Sequence, residues 1–520
     1  PGCDPNVNPY RVSTAVLRTH EARPLGGGMI ASLSIPWGAT KGDDDLGGYH
    51  LVWPRDLVES AFGLVAIGAH DEMRRVLLFL RVTQEADGHW PQNMWLDGES
   101  YWGGIQLDET AFPILLVDQA HWEGSITRDD LERYWPMVRA AAGFIIRNGP
   151  MTGQDRWEED SGFSPFTLAV EIASLVVAAD IAGTLGHAED AAYLLETADL
   201  WNASIERWCY AEGTPLAAKL GIDGYYIRIS PETSGPCSPL NGTIAIKNRE
   251  GGDRWVPAAS IVSPDALALV RFGLRAADDP RIRNTVKAID AVLKVDLPQG
   301  PLWYRYNEDG YGEHADGSPF NGWGIGRAWP LMAGERAHYE LALGNLDEAH
   351  RLLKTLENSS NAGGLIPEQI WEQDDIPERE LVRGEPSGSA MPLVWAHSEH
   401  VKLLRSLRDG KVFDMPPQVF RRYARDGVGS SCALWRFSTQ ASTVPAGKML
   451  RIETDFPARV HWSPDGWTTV HDLDSRDSGF GLAVADLDTA ALPAGARVEF
   501  TFFWPEAGRW EGRDFTVTVV

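Results

Sequence analysis

The chain has 520 residues, 43% of them hydrophobic and 23% charged, and its 73 Asp and Glu against 47 Lys and Arg give a formal net charge of −26 and a pI of about 4.9. That length exceeds one ordinary core and asks for one large domain with a smaller one beside it. The acidity argues against nucleic acid, which needs a basic stripe, and against an anionic membrane, so a neutral substrate is the better match. No apolar run reads as reaching the ~20 residues of a membrane span.

In chain order, residues 9–22 have helical periodicity. Gly26-Gly27-Gly28, a strand-like piece over 29–36 and a Gly/Asp loop at 42–48 follow. Periodicity then predicts helices over 55–68, 70–84, 108–121, 128–148, 164–185, 187–209, 264–274, 279–296, 325–343, 345–357 and 390–409, twelve in all with the first. Many come in pairs with short joins, as at Gly186 and Gly344, which favours antiparallel hairpins. Between the pairs run long loops rich in Trp, Gly, Asp and Pro, at 85–107, 149–163, 210–263, 297–324 and 358–389. Six hairpins closed into a ring would gather those loops at one end. The expected fold is therefore mainly α: an (α/α)6 barrel over 1–410 with its site at the long-loop end.

The pattern changes at 411–420, where Met415-Pro416-Pro417 reads as a linker. Over 421–520, short alternating runs at 431–438, 448–454, 458–463, 467–472, 479–486, 496–504 and 514–520 predict a β-sandwich. Trp462, Trp467, Trp504 and Trp510 in this region are either core aromatics or an exposed binding face.

The 21 Trp recur beside Gly, Pro and acids, where rigid aromatic planes serve as ligand platforms. The most informative stretch runs from Arg156 through Trp157, Glu158, Glu159 and Asp160 to Pro165. Two carboxylates beside an aromatic plane fit a sugar-cleaving site, because an apolar neighbour holds one of them protonated for transfer to a leaving oxygen. The simpler reading is a charged loop at a helix start. Before the second predicted helix stand Tyr49, Trp53, Arg55 and Asp56, a donor–acceptor pair suited to neighbouring hydroxyls or a plain local ion pair. Aromatics and amides interleave from Trp90-Pro91-Gln92-Asn93 to Trp102 and on to Gln106-Leu107-Asp108-Glu109, and again in Trp303–Gly312. Ile366-Pro367-Glu368-Gln369 offers a distant carboxylate, as a base facing the acid across a substrate requires; a solvated surface glutamate is the plainer alternative.

Cys3, Cys209, Cys237 and Cys432 form no CxxC pair, and one disulfide among them stays open. His397 and His400 are too close for the usual zinc spacing, so no metal is expected there.

With these five motifs in order, the chain resembles glycoside hydrolase family 15, the glucoamylases and glucodextranases, over roughly residues 9–410, with the bacterial glucodextranase-type branch nearest in look. The resemblance implies an inverting exo-acting glucan hydrolase that releases β-glucose from α-1,6 or α-1,4 chains, with a leaning toward α-1,6. Glu158 would be the general acid and Glu368 the general base. Arg55 and Asp56 would hold the chain-end glucose and Tyr49 would stand near the oxocarbenium-like centre. Trp102 would pack beside the acid, and Glu159 and Arg305 would bind substrate. Trp53, Trp157, Trp329 and Trp395 would be pocket aromatics. The alternatives are a family 15 trehalase or transglucosylase, or a glucan-binding protein on an inactive barrel.

The resemblance requires no cofactor. A structural Ca2+ on Asp43-Asp44-Asp45 competes with a solvated acidic loop. Bacterial members usually carry an N-terminal β-sandwich before the barrel, so the resemblance implies either that such a domain was cleaved, with a separate N-terminal β-sandwich chain or fragment as a candidate partner, or that this protein lacks it. Secretion, extracellular or periplasmic, is expected by resemblance.

Overall fold

Twelve helices alternate between an inner and an outer ring in the computed structural model, which describes residues 2–22, 25–37, 48–232, 238–252 and 254–520. In chain order they are α1 (Pro9–Thr19), α2 (Pro54–Ala66), α3 (His70–Thr83), α4 (Leu107–Trp122), α5 (Arg128–Asn148) and α6 (Pro165–Leu185). Then come α7 (Ala188–Asn202), α8 (Ala268–Arg271, entered through a 3-10 turn at Pro264–Leu267), α9 (Pro280–Val292), α10 (Pro330–Ala342), α11 (Leu346–Asn358) and α12 (Val394–Asp409). The even-numbered helices close on one another: α2 packs on α4, α4 on α6, α6 on α8, α8 on α10, α10 on α12 and α12 back on α2. The odd-numbered helices cover them from outside, which makes an (α/α)6 barrel.

The two rings follow from their sequences. Outer helix α11 buries one face only, Ala349, Leu352, Leu353 and Leu356. Inner helix α6 is apolar all round and buried along nearly its whole length. Among the described residues it alone is long and apolar enough to cross a membrane, against the sequence expectation that no run reaches that length. Here it is a core helix, because the neighbouring helices cover it on every side. Proline stands at the start of α2, α6 and α10 and of the turn before α8, where its missing N–H costs no helical bond.

Several boundaries differ from expectation. The predicted helix 187–209 breaks after Asn202 and resumes as a short turn, Ile205–Cys209. The predicted 325–343 starts only at Pro330, because a proline drives the preceding residue out of the helical region and Trp329 is extended, bridging Trp303. Likewise 390–409 starts at Val394. The piece 29–36 makes one bridge, Met29 to Glu21, rather than a strand. The stretch 411–420, read as a linker, is packed: Val412, Phe413 and Asp414 are buried, and Asp414 pairs with Arg271 at 2.6 Å and Lys402 at 3.3 Å.

The C-terminal strands are β1 (Cys432–Trp435), β2 (Thr443–Val444), β3 (Met449–Thr454), β4 (Arg459–Ser463), β5 (His471–Asp474), β6 (Arg476–Asp477), β7 (Ala483–Leu487), β8 (Arg497–Trp504), β9 (Arg509–Trp510) and β10 (Phe515–Val519). One sheet runs β2-β10-β8-β4-β5 with β9 on β8, and the other β6-β7-β3-β1. They enclose Trp435, Phe500, Phe502 and Phe515. Trp462 belongs to this core, Trp504 is half-buried, and Trp510 is exposed. Leu434, Phe480, Leu482 and Val484 join the barrel core, and Arg436 donates to the carbonyls of Ile146 (2.8 Å) and Gly149 (2.7 Å).

Cys3, Cys209 and Cys432 are free thiols, and Cys237 lies outside the described residues. So does Asp43-Asp44-Asp45. Among the described residues no group of three or more His, Cys, Asp or Glu is arranged to hold a metal.

Candidate active site

The first turns of the inner helices and the long loops before them meet around one pocket of about 440 Å³. All twelve residues proposed from the sequence line it: Tyr49, Trp53, Arg55, Asp56, Trp102, Trp157, Glu158, Glu159, Arg305, Trp329, Glu368 and Trp395. Trp53 and Trp329 are the residues immediately before α2 and α10, and Arg55, Asp56 and Trp395 lie in first turns. Inner helices therefore point their positive dipole ends at a pocket rich in carboxylates.

The loop carrying Glu158 is fixed from behind. Asp155 accepts the Glu158 N–H through its carbonyl (2.9 Å) and the Glu159 N–H through Oδ1 (3.1 Å). This turn holds Glu158 at φ 66°, a left-handed conformation that costs a non-glycine residue on the order of 1 kcal/mol and clusters at functional sites. Arg156 lies between the rings of Trp157 (4.4 Å) and Phe166 (4.3 Å) and pairs with Asp265 (2.7 Å) and Glu335 (2.8 Å), tying the loop to the start of the turn before α8 and to α10. Glu158 Oε2 accepts from Gln92 Nε2 at 2.6 Å. Burial raises the Glu158 pKa, opposed by Arg55 and by the Gln92 hydrogen bond, so the proton-holding form is favoured.

Glu368 comes from the loop before α12. Its Oε1 accepts the Tyr49 hydroxyl, and Tyr49 also meets the Tyr311 hydroxyl at 2.6 Å. Its Oε2 is buried with no hydrogen-bond partner among the described residues. Burial pushes Glu368 up to about 8, while the Tyr49 hydrogen bond and Arg305 favour the ionised form.

Arg55 donates to Gln106 Oε1 (2.5 Å) and Asp108 Oδ2 (3.0 Å), is 3.9 Å from Asp56, and lies over the Trp395 ring at 5.9 Å. Burial pushes Asp56 up to about 7 against the pull of Arg55. Glu159 Oε2 accepts from Tyr306 (2.6 Å) and Arg228 (3.1 Å), while its Oε1 lies 3.5 Å from Arg305. Arg305 is held bidentately by Asp309 (2.7 Å to each oxygen) among the rings of Trp157, Tyr311 and Trp329. Trp102 stands at the rim, 41% exposed, its ring packed on Trp53 and Tyr101.

Four participants escaped the sequence reading. Gln92 and Tyr311 lay inside quoted motifs and carried a signal: an amide and a phenol among aromatics. Trp37 lines the pocket, bonded to Glu313 at 2.9 Å, and Arg228, buried in the 210–263 loop among Asp155, Glu159 and Asp160, had no motif at all.

Comparison with known proteins adds to this geometry. The family described as "Glycosyl hydrolases family 15" matches residues 12–90 and 84–405. A glucoamylase of Clostridium sp. (strain G0005) is 44% identical over 414 residues, 80% of this chain and 55% of that protein. A bacterial glucoamylase solved in complex with acarbose superposes with a TM-score of 0.71 at 43% identity, over 80% of this chain and 57% of the other. A cycloisomaltooligosaccharide glucanotransferase of Niallia circulans is 36% identical over 97 residues, 16% of this chain and 10% of its own. The chain thus spans just over half the length of the two glucoamylases it matches. An (α/α)6 barrel with both motif glutamates in one pocket, matched to a single family from residue 12 to residue 405, belongs to glycosyl hydrolases family 15.

Proposed function

We propose that this protein is an inverting, exo-acting glucan hydrolase that releases β-glucose from non-reducing chain ends, with Glu158 as general acid and Glu368 as general base. The observation that carries this reading is the meeting of two carboxyls in one pocket, Glu158 half-buried and Glu368 fully buried. Glu158 accepts from Gln92 on Oε2, and among the described residues Glu368 keeps Oε2 free while Tyr49 occupies Oε1. In the proposed reaction the Glu158 O–H bond breaks toward the glycosidic oxygen as that oxygen leaves C1. On the opposite face, water bonds to C1 and gives its proton to Glu368 Oε2. Both changes of bond occur once, from opposite faces, so the anomeric centre inverts. Arg55 and Asp56 would hold hydroxyls of the chain-end sugar, and Trp53, Trp157, Trp329 and Trp395 would stack on its C–H surfaces. First turns of the inner helices floor the pocket, so a chain enters by its end.

For linkage, 44% identity to a glucoamylase over four-fifths of the chain favours α-1,4 chains over the α-1,6 leaning of the sequence. The test is glucose release from maltooligosaccharides beside isomaltooligosaccharides, with the anomer followed by NMR. β-Glucose mainly from the α-1,4 series is expected. Faster release from the α-1,6 series would reverse the linkage, and α-glucose as first product would overturn the roles of Glu158 and Glu368.

A further inference from the structure

Behind the Glu368 loop, on the side away from the pocket, a chain of buried hydrogen bonds links four residues from three helices. The backbone N–H of Ile366, two residues before Glu368, donates to His397 Nε2 at 2.9 Å. A peptide N–H can only donate, so His397 Nε2 is the unprotonated nitrogen and Nδ1 carries the hydrogen. That Nδ1–H faces Ser13 Oγ at 2.8 Å, and the Ser13 hydroxyl, accepting there, gives its own hydrogen to His400 Nδ1 at 2.9 Å. His400 therefore carries its hydrogen on Nε2, which faces Glu357 Oε1 at 3.3 Å. With both rings neutral, each link fixes the next and one arrangement of hydrogens satisfies all of them. Ser13, His397 and His400 are fully buried.

The other face of the Ile366 peptide is tied as well: its carbonyl accepts from Leu393 N at 2.9 Å, and Glu368 N donates to Ala390 O at 2.8 Å. The backbone leading to Glu368 is thus clamped to the segment that opens α12. Burial drives the His397 pKa well below its ordinary value, with His400 on the same helix and His20 just past the end of α1 adding to the shift, so the ring stays a neutral acceptor.

We propose that Ser13, His397 and His400 are positioning residues for Glu368: a directional hydrogen-bond strut, anchored on Glu357, that sets where the base stands relative to the attacked carbon. This rests on the reading of Glu368 as the base. A misplacement of about 1 Å costs on the order of 10²-fold in rate, so a partial loosening is worth about tenfold.

The test is a double-mutant cycle on kcat. Ser13→Ala is expected to lower kcat about tenfold with KM within about twofold, and Ser13→Thr, which keeps the hydroxyl, to restore most of it. In a Glu368→Gln background Ser13→Ala should change the residual rate by less than about twofold, because the residue it acts through is gone. Equal losses in both backgrounds, or no loss in the parent, would overturn the proposal. If Glu368→Gln itself retained activity, the reading of the base would fail instead. Independently of any variant folding, nitrogen NMR of the intact chain should find His397 as the Nδ1–H tautomer and His400 as the Nε2–H tautomer. Like tautomers, or a charged His397 at pH 6, would also overturn it.

Discussion

The Tyr49 hydroxyl donates to Glu368 Oε1 across 319 positions of sequence, and the same hydroxyl meets Tyr311 at 2.6 Å. One oxygen of the buried carboxyl is thereby committed, and the other has no hydrogen-bond partner among the described residues. Removing that donor has two signed consequences. Tyr49→Phe takes away a contribution that lowers the Glu368 pKa, so the acid limb of the kcat/KM profile should move to higher pH. The rate at the optimum should fall about 10- to 100-fold. A profile with an unmoved acid limb would mean that this hydrogen bond does not bear on the base.

In the proposed reaction the active state is the pair Glu158–Glu368 holding one proton, and burial raises both members above ordinary carboxyls. Two such coupled groups titrate as a pair. The bell of kcat/KM against pH should therefore be displaced upward from the range near 4 set by free carboxyls, with its alkaline limb at the loss of the last proton. Initial rates across the pH range check this directly.

Glu158→Gln and Glu368→Gln should each lower kcat by at least about 10²-fold while ligand affinity stays within a few-fold, because both amides retain the shape of the carboxyl. Calorimetric titration with a slowly cleaved oligosaccharide separates the two effects.

Stability should respond in the opposite sense at the base. A carboxyl raised from 4.5 to about 8 in the folded state binds more protons folded than unfolded between those values. Its contribution is therefore lost as pH rises through that window. Glu368→Gln, which has no charge to bury, should melt above the parent at pH 8, with the difference shrinking toward pH 4. Thermal unfolding at the two pH values is sufficient.

Arg228 has no contact with solvent and neutralises Asp155, Glu159 and Asp160 at 2.7 Å, 3.1 Å and 3.2 Å. Arg228→Met leaves uncompensated buried carboxylates, at a cost of about 3–5 kcal/mol, and frees the turn that carries Glu158. Both melting temperature and kcat should drop. Leu175→Ala in the middle of α6 is the control: a cavity costing about 2–5 kcal/mol with KM unchanged, since Leu175 lies in the core and not in the pocket.

The sequence by itself determined the ring of helices and twelve of the residues that line the pocket. Apolar periodicity of 3.6 and turn residues are local properties, so α2 to α12 were legible to within a few residues, and runs of Trp with acids and amides marked loops that serve a ligand. Boundaries such as Trp329 before Pro330 followed from tertiary pairing, which local propensity does not see. Tertiary structure alone decided how the pocket is wired. That Tyr49 serves Glu368, that Arg228 neutralises the Glu159 loop, and that His397 holds the Ile366 amide are contacts between segments up to hundreds of residues apart. Their geometry is set by how the six inner helices close, and the burial that closure imposes on Glu158 and Glu368 displaces their pKa values, a quantity no stretch of sequence carries.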